Sequence, residues 1–327
     1  MTNPYIIAEV AQGYEGRVDT GRLLIKGAKA AGADAVKFQI IYADDVCVPG
    51  YVHYDLFKGL EMPNDDWQTL RNYARDLGIA FYGDAAGPRS LELADKLSMD
   101  GTKIHATCFF EDELFDHVLK TDMNVLLSIG GIEFEELSAR IVQYDLAGND
   151  KVTIMHGFQA EPTPTERNNL SRIPELRDQT GLDIGFMDHA DGAGPDTVTL
   201  SAMALALGVR VFEKHITLDR ALELEDFVSG LAPDEFANYV ADLHRLATGL
   251  GVPDIFLLDE ERDYRSKALK RVVARRTLPN GHLLSDDDLV LLRPKTISGL
   301  FDPAAARGRT LTRALEAGDP IEDADLK

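Results

Sequence analysis

Cysteine is nearly absent from the sequence, since Cys47 and Cys108 are the only two among 327 residues. Two cysteines are too few for a disulfide framework, so both are expected to be free thiols in a reducing compartment. The first residues, MTNPYIIAEVAQGYEG, have no basic region followed by a long apolar run, and no later stretch reaches the roughly 18 apolar residues of a membrane helix. A cytoplasmic protein with no membrane partner is therefore expected.

Positive charge is also scarce, because 34 Lys and Arg residues stand against 55 Asp and Glu residues and the formal net charge is -21. Nucleic acids and anionic membranes are bound through basic surfaces, so neither is an expected partner. An anionic substrate would need a pocket that is locally positive.

What the sequence does contain is a regular alternation of short apolar segments with longer segments of helical periodicity. Eight strands are predicted, at residues 5–10, 35–40, 80–85, 101–106, 124–129, 151–156, 183–189 and 210–216. Eight strand–helix units in about 250 residues are typical of a (β/α)₈ TIM barrel. We therefore predict an α/β catalytic barrel over residues 1–258.

The alternation of strands and helices ends after residue 258. Residues 259–264 are predicted to be a charged linker, and short strands in RVVARRTL and LVLLRP, with turns at PNG and EAGDP, indicate a small, mostly β domain at residues 265–327. About 60 residues is near the lower limit for an independent hydrophobic core, so this domain is expected to dock on another surface.

Polar and ionisable residues interrupt the predicted strands close to their C-terminal ends. They are Glu9, Lys37, Gln39, Asp84, Lys103, His105, Ser128, His156, Asp188, His189, Glu213 and His215. TIM-barrel enzymes carry their catalytic groups at this end of the barrel. A single histidine or lysine there is more often a structural group, but twelve such residues on one face predict an active site.

Two histidines near the ends of the last two predicted strands form the clearest pair. His189 lies in GFMDHA and His215 in FEKHIT. Neighbouring strands can bring two imidazoles to one divalent ion and leave positions open for water and a substrate carbonyl. We predict that the pair binds metal, with Asp188 orienting its surroundings; the alternative is two core histidines.

Lys37 and Lys103 supply positive charge at the predicted rim, where they are able to bind a phosphate or a carboxylate. The alternative is that both are structural ion-pair partners of Glu9 and Asp84.

An ordered set of fragments resembles the sialic acid synthase family, which includes N-acetylneuraminate, legionaminate and pseudaminate synthases. The fragments are IIAEV, YEG, AGADAVKFQ, EPTP, GFMDHA, LGVRVFEKHITLD and the terminal VVARRTLPNGHLLSDDDLVLLRP, GRTL and GDPI. The resemblance covers nearly the whole chain, including the family's C-terminal antifreeze-like domain, also called the SAF domain.

The resemblance implies condensation of phosphoenolpyruvate with the open-chain aldehyde of an N-acylated mannosamine-type sugar, giving a nine-carbon 2-keto-3-deoxy acid and phosphate. The implied cofactor is a divalent metal ion, Mn²⁺ or Mg²⁺, at His189 and His215. Glu9, Lys37 and Lys103 are the expected catalytic residues. The expected substrate-binding residues are Gln39, Asp84, His105, Thr107, Ser128, Gln159, Asp226 and Arg293.

The family arrangement also implies a domain-exchanged homodimer. In such a dimer, Arg293 would reach the sugar pocket of the partner chain. The alternative for Arg293 is a solvated surface side chain.

The sequence departs from the family pattern at several positions. GDAA places Asp84 where a phosphate-binding threonine is expected, and HATC places Ala106 and Cys108 where the family has a serine and a glutamate. The other departures are Gly13-Tyr14 for Asn-His, Gln159 for an asparagine, Met187 for a serine, and LEDF for Gly-Pro-Asp-His with Asp226 retained.

Several of these losses fall on the phosphate site, where an extra carboxylate repels a phosphate dianion. Two other functions therefore stay open: an aldolase-type enzyme that uses a donor such as pyruvate, and a catalytically silent sugar-binding homologue. Phosphate release from phosphoenolpyruvate distinguishes the synthase from both.

Overall fold

The computed structural model describes residues 3–327. Eight parallel strands close into a barrel in chain order, with the last strand paired to the first. They are β1 (Tyr5–Ala11), β2 (Ala35–Ile40), β3 (Ala80–Ala85), β4 (Gly101–Ile104), β5 (Asn124–Ser128), β6 (Val152–His156), β7 (Asp183–Asp188) and β8 (Val211–His215). The predicted (β/α)₈ barrel is confirmed, and the predicted strand ends differ from the observed ones by no more than about two residues, a usual uncertainty in strand and helix boundaries.

One or more helices follow each strand of the barrel. They are α1 (Val18–Ala30), α2 (Ala43–Val46), α3 (Tyr54–Leu60), α4 (Asn64–Leu77), α5 (Pro88–Leu97), α6 (Asp112–Val118), α7 (Phe134–Gln143), α8 (Arg172–Thr180), α9 (Thr197–Ala206) and α10 (Pro233–Thr248). The main hydrophobic core lies between these helices and the outer face of the barrel, where Phe38, Phe81 and Trp67 are buried. Because strands of such a barrel are covered on both faces, they are apolar almost throughout.

The barrel interior holds a second, smaller apolar layer. It consists of Ile7, Ala35, Tyr82, Leu126, Met155 and Met187. Successive side chains of a strand point to opposite faces, so the residue two positions further along each strand also points into the barrel. At five of the six positions that residue is polar, namely Glu9, Lys37, Asp84, Ser128 and His189. The apolar layer therefore forms the floor of a polar layer at the C-terminal mouth of the barrel.

The chain divides into two compact units between Val252 and Pro253, six residues before the predicted domain boundary. The segment predicted as a linker, residues 259–264, instead begins helix α11 (Asp259–Ala268). Three acidic residues occupy the first turn of this helix and Arg265 and Lys267 the last, an arrangement that the helix dipole stabilises.

The second unit contains an antiparallel pair of strands, β9 (Arg271–Ala274) and β10 (Leu289–Leu292). Its own hydrophobic core includes Val272, Leu278, Leu311 and Ile321. The predicted small, mostly β domain is therefore present. Among residues 3–327, no helix has both the length and the apolar composition needed to cross a membrane.

Candidate active site

A cavity of about 230 Å³ opens at the C-terminal ends of the barrel strands. Polar and ionisable side chains dominate its wall. The lining residues are Glu9, Gln12, Gln39, Lys103, His105, Gln159, Ala160, Glu161, His189, Glu213, His215 and Asp226. A concave site with convergent ionisable groups at this end of a TIM barrel is the expected location of an active site.

Five charged side chains on one side of the cavity form the lysine cluster, defined as Glu9, Lys37, Asp84, Lys103 and Glu213. All five are buried. Lys37 pairs with Glu9 and donates a hydrogen bond of 2.6 Å to Asp84, while Lys103 lies 2.7 Å from Glu213. The ion pairs required by the structural alternative for Lys37 are therefore present, and Lys103 pairs mainly with Glu213.

The lysine cluster contains three carboxyl groups and only two ammonium groups, so one carboxyl has no lysine of its own. Burial, opposed by Lys37 and reinforced by Glu213, raises the pKa of Glu9 to about 7. For Glu213, burial is outweighed by Lys103 and Lys37, which lower its pKa. Burial also opposes charge on Lys37, but Asp84, Glu213 and Glu9 raise its pKa well above the ordinary value. The cluster therefore holds charged lysines and one carboxyl that readily takes up a proton.

The cavity also contains the histidine cluster, defined as Glu161, His189 and His215. The two imidazole rings lie with their centroids 5.4 Å apart, and the carboxylate of Glu161 lies 3.1 Å from Nε2 of His215. Both rings are buried, and Nδ1 of each has no hydrogen-bond partner among residues 3–327. A buried polar atom without a partner is costly, so these nitrogens are candidates for ligand binding.

The two histidines have opposite protonation preferences. Burial, together with the neighbouring His215, lowers the pKa of His189 to about 3. Burial also opposes charge on His215, but Glu161 outweighs it and raises the pKa of His215. His189 is therefore a neutral imidazole, the form that binds metal.

Asp188 and Lys214 support the backbone around His189. Lys214 donates to the carbonyl of Ala190 at 2.8 Å and lies 3.4 Å from Oδ1 of Asp188. The same carboxylate accepts a hydrogen bond from the backbone N–H of Ala190. Both side chains are fully buried and neither lines the cavity, so they shape the β7 end without facing a ligand.

Nine of the residues that the sequence places at the barrel rim or assigns to the site line the cavity: Glu9, Gln39, Lys103, His105, Gln159, His189, Glu213, His215 and Asp226. Lys37 and Asp84 lie buried beneath the lining, and Ser128 is buried with its hydroxyl unpaired within the described residues. Thr107 sits beside His105, its hydroxyl 2.8 Å from Nδ1 of that ring. Arg293 belongs to the second unit, where its Nε donates to the carbonyl of Ala268 at 2.9 Å.

Two other strand-end residues have structural partners. His156 lies 2.9 Å through Nε2 from the carbonyl of Asn168, and it does not line the cavity. Tyr14, one of the departures from the family pattern, is buried and donates to the carbonyls of Gln39 and Leu60. Both side chains therefore hold loops in place near the cavity.

Sequence reasoning missed three lining residues: Gln12, Ala160 and Glu161. All three lie in loops after strands β1 and β6, where strand periodicity gives no indication of side-chain direction. A signal for Glu161 was available, because it is the acidic residue that opens EPTP, five residues after the end of a barrel strand.

The histidine cluster fits a divalent metal ion by its donor chemistry. One ligand atom from each of Glu161, His189 and His215 lies within 4.8 Å of the other two. Imidazole nitrogen and carboxylate oxygen are ligands that Mn²⁺ and related ions accept. The unpartnered buried Nδ1 of His189 agrees with this fit.

Comparisons with known proteins agree with the architecture. The NeuB family matches residues 24–254, and the SAF domain matches residues 271–327. An uncharacterized protein of Methanocaldococcus jannaschii is 30% identical over 89% of this chain and 85% of its own length. N,N'-diacetyllegionaminic acid synthase of Legionella pneumophila is 26% identical over 97% of this chain and 93% of its own length.

A solved structure has a similar fold. It is N-acetylneuraminic acid (sialic acid) synthetase of Leptospira borgpetersenii in complex with citrate, which aligns with a TM-score of 0.74 at 23% identity, covering 82% of this chain and 93% of that chain.

Proposed function

The chain belongs to the NeuB family, and on that premise we propose that it condenses phosphoenolpyruvate with the open-chain aldehyde of an N-acylated aminosugar. The products are a 2-keto-3-deoxy sugar acid of the nonulosonic type and inorganic phosphate, and one water molecule is consumed. A sugar acid synthase agrees with the legionaminic, pseudaminic and N-acetylneuraminate-9-phosphate synthases among the relatives.

The observation that carries this proposal is the division of the cavity into a lysine cluster and a histidine cluster. Joining two carbon skeletons requires an electrophile that is polarised and an anionic donor that is held beside it. The histidine cluster offers metal ligands for the aldehyde side, and Lys103 offers an ammonium group on the donor side. A divalent ion bound at His189 and His215 would supply a Lewis acid that polarises the aldehyde carbonyl.

The remaining residues position the reactants and move protons. Lys103 lines the cavity and is the cation available to a donor carboxylate or phosphate. Lys37 lies beneath the cavity lining and shares the neutralisation of the buried carboxyl groups with Lys103. Glu9 has a raised pKa and lines the cavity, which suits a group that gives or accepts a proton near pH 7. Gln39, Gln159 and Asp226 provide hydrogen-bonding groups for sugar hydroxyls.

The test is a screen of donors against acceptors with two readouts, phosphate release and product mass. Phosphoenolpyruvate is mixed with N-acylated mannosamine-type sugars and Mn²⁺, and chelator-treated enzyme serves as the blank. The proposal predicts phosphate in equal amount to a new acid whose mass is that of the aldose plus the pyruvate unit. Binding of sugar without any product would instead identify a sugar-binding homologue.

A second candidate function is an aldolase-type reaction with an unphosphorylated donor such as pyruvate. The observation that favours it is the pairing of Lys37 with Asp84 at 2.6 Å. The Asp84 carboxylate neutralises this lysine and adds negative charge where a phosphorylated donor would bind. The same screen separates the two reactions. Carbon–carbon bond formation from pyruvate without phosphate release would establish the aldolase.

The proposed assembly is a homodimer in which the small domain of one chain covers the barrel mouth of the other. Its support is the separate hydrophobic core of the second unit and the exposed guanidinium of Arg293. In that assembly, Arg293 would contact the acceptor sugar through charge-assisted hydrogen bonds.

A further inference from the structure

Glu161 occupies an unusual position for an acidic loop residue. It follows β6 on the loop to α8, its side chain is 28% exposed, and its carboxylate faces the buried ring of His215. Asp226 forms a further contact with it. The proposed condensation requires two imidazoles and a cation for the donor, so it leaves the third member of the histidine cluster without a role.

The distance between Glu161 and His215 can be compared with the geometry of a metal centre. Two ligand atoms that each lie about 2.1 Å from an ion, at right angles to one another, are about 3.0 Å apart. Oε1 of Glu161 and Nε2 of His215 are 3.1 Å apart. The pair is therefore already spaced like two adjacent ligands of one ion.

His189 completes the geometry. Adjacent ligands of the same ion would be about 3.0 Å apart and opposite ligands about 4.2 Å apart, so three ligand atoms within 4.8 Å of one another lie near the range that a shared ion requires. His189 is buried and its Nδ1 has no partner within residues 3–327, so the ring is not committed to another hydrogen bond at that atom.

We infer that Glu161 is a third protein ligand of the metal ion, which makes the site a centre of two histidines and one carboxylate. Three protein ligands leave up to three positions of an octahedral ion for water and the substrate oxygens. The carboxylate also neutralises one of the two positive charges of the ion. It favours ions that prefer oxygen ligands, such as Mn²⁺, over soft ions. This inference rests on the proposed function only in using the same two imidazoles.

The competing interpretation is that Glu161 only accepts a hydrogen bond from His215 and orients that ring. Both interpretations predict weaker metal binding when Glu161 is changed, because a group that orients a metal ligand through a hydrogen bond also contributes about 10-fold to 100-fold to metal affinity. They differ in the number of water molecules on the ion. Losing a ligand opens one position to water, whereas losing an orienting group leaves the count unchanged.

The experiment uses the full chain and Mn²⁺ as the probe. Mn²⁺ affinity is measured by isothermal titration calorimetry for the wild type, Glu161→Gln and Glu161→Ala, and bound waters are counted by electron paramagnetic resonance in water enriched in ¹⁷O. Glu166→Gln is the matched control, since Glu166 is an exposed glutamate on the same loop. Circular dichroism checks that each variant is folded.

We expect Glu161→Gln and Glu161→Ala to bind Mn²⁺ at least about tenfold more weakly, with one additional bound water, and Glu166→Gln to match the wild type. Unchanged affinity in Glu161→Gln overturns the inference, as does weaker affinity without an additional water. No Mn²⁺ binding by the wild type also overturns it. Wild-type Mn²⁺ binding through Glu161 without condensation of phosphoenolpyruvate would leave the inference standing and refute the proposed function alone.

Discussion

The lysine cluster and the histidine cluster share one cavity, but they differ in how their charges are satisfied. Each ammonium group of the lysine cluster lies within 4.0 Å of three carboxylate groups, so the cluster is largely neutralised from within. Both clusters contain buried atoms without a hydrogen-bond partner in the described part of the chain: one oxygen each of Glu9, Asp84 and Glu213, and Nδ1 of His189 and His215. Each of these oxygens lies within 4.0 Å of an ammonium group, whereas the two imidazole nitrogens have no such partner. A group that is satisfied internally contributes to the fold, whereas a group left open has a ligand to bind. We therefore expect a metal ion at the histidine cluster and none at the lysine cluster.

The largest expected effect is the loss of catalysis when either histidine is removed. His189→Ala and His215→Ala should each lower kcat/KM by about a thousandfold or more, because a Lewis acid is worth several kcal/mol in the transition state. Metal content should fall with the activity. After removal of metal by a chelator, added Mn²⁺ should restore activity only in the wild type. Full activity and full metal content in both variants would refute the role of the pair.

Lys37 offers the opposite experiment, in which stability changes more than metal binding. Lys37→Met removes the nearer cation of Glu9 and Asp84 and leaves only Lys103, at 3.8 Å and 3.7 Å; breaking a buried pair costs about 3–5 kcal/mol. Chemical denaturation should therefore show a lower free energy of unfolding, with Mn²⁺ affinity retained. The double variant Lys37→Met/Asp84→Asn is the control, and it should be more stable than Lys37→Met alone. Equal stability in the two would show that Asp84 does not depend on Lys37.

Arg293 tests whether the acceptor side extends to a second chain. Arg293→Ala should lower kcat/KM by about 10-fold to 100-fold through loss of charge-assisted hydrogen bonds. Mixing it with His215→Ala should regenerate activity, with about one site in four intact under random pairing. Native mass spectrometry confirms subunit exchange before activity is measured. Absence of recovery in confirmed heterodimers would reject the exchanged arrangement, and normal activity of Arg293→Ala would make it a surface residue.

Asp84 tests whether the donor side still discriminates against phosphate. Asp84→Thr removes a buried carboxylate beside Lys37, so the KM for phosphoenolpyruvate should fall by about tenfold, equivalent to about 1.4 kcal/mol. Asp84→Asn is the control that removes charge but keeps the side-chain shape. An unchanged or higher KM in both would assign Asp84 a role in holding Lys37 instead.

A further expected effect is a change in how stability depends on pH. The native pKa of Glu9 is about 7 and its ordinary value is 4.5. Between these two pH values, the native state therefore binds a proton that the unfolded state has lost. This contribution is fully present below about pH 4.5 and is lost as the pH rises through 7, with a slope of at most about 1.4 kcal/mol per pH unit. Glu9→Gln, which cannot lose a proton, should show a weaker fall in unfolding free energy over that range. Identical profiles would contradict the raised pKa.

The sequence was sufficient to predict the barrel because strand periodicity and strand order follow from local patterns. It was also sufficient to place His189 and His215 near each other, since both lie at the ends of consecutive strands. It left open whether Asp84 pairs with Lys37, because register between neighbouring strands decides which carboxylate meets which lysine. Glu161 was missed because a loop carries no periodicity from which to infer the direction of its side chain.

The contrast between the two clusters is tested most directly by anomalous diffraction from crystals soaked in MnCl₂ and measured at the manganese absorption edge. We predict one peak bounded by Glu161, His189 and His215, and no peak among the carboxylates of the lysine cluster. A peak beside Glu9, Asp84 or Glu213, with none between the two imidazoles, would contradict the assignment of metal binding to the histidine cluster.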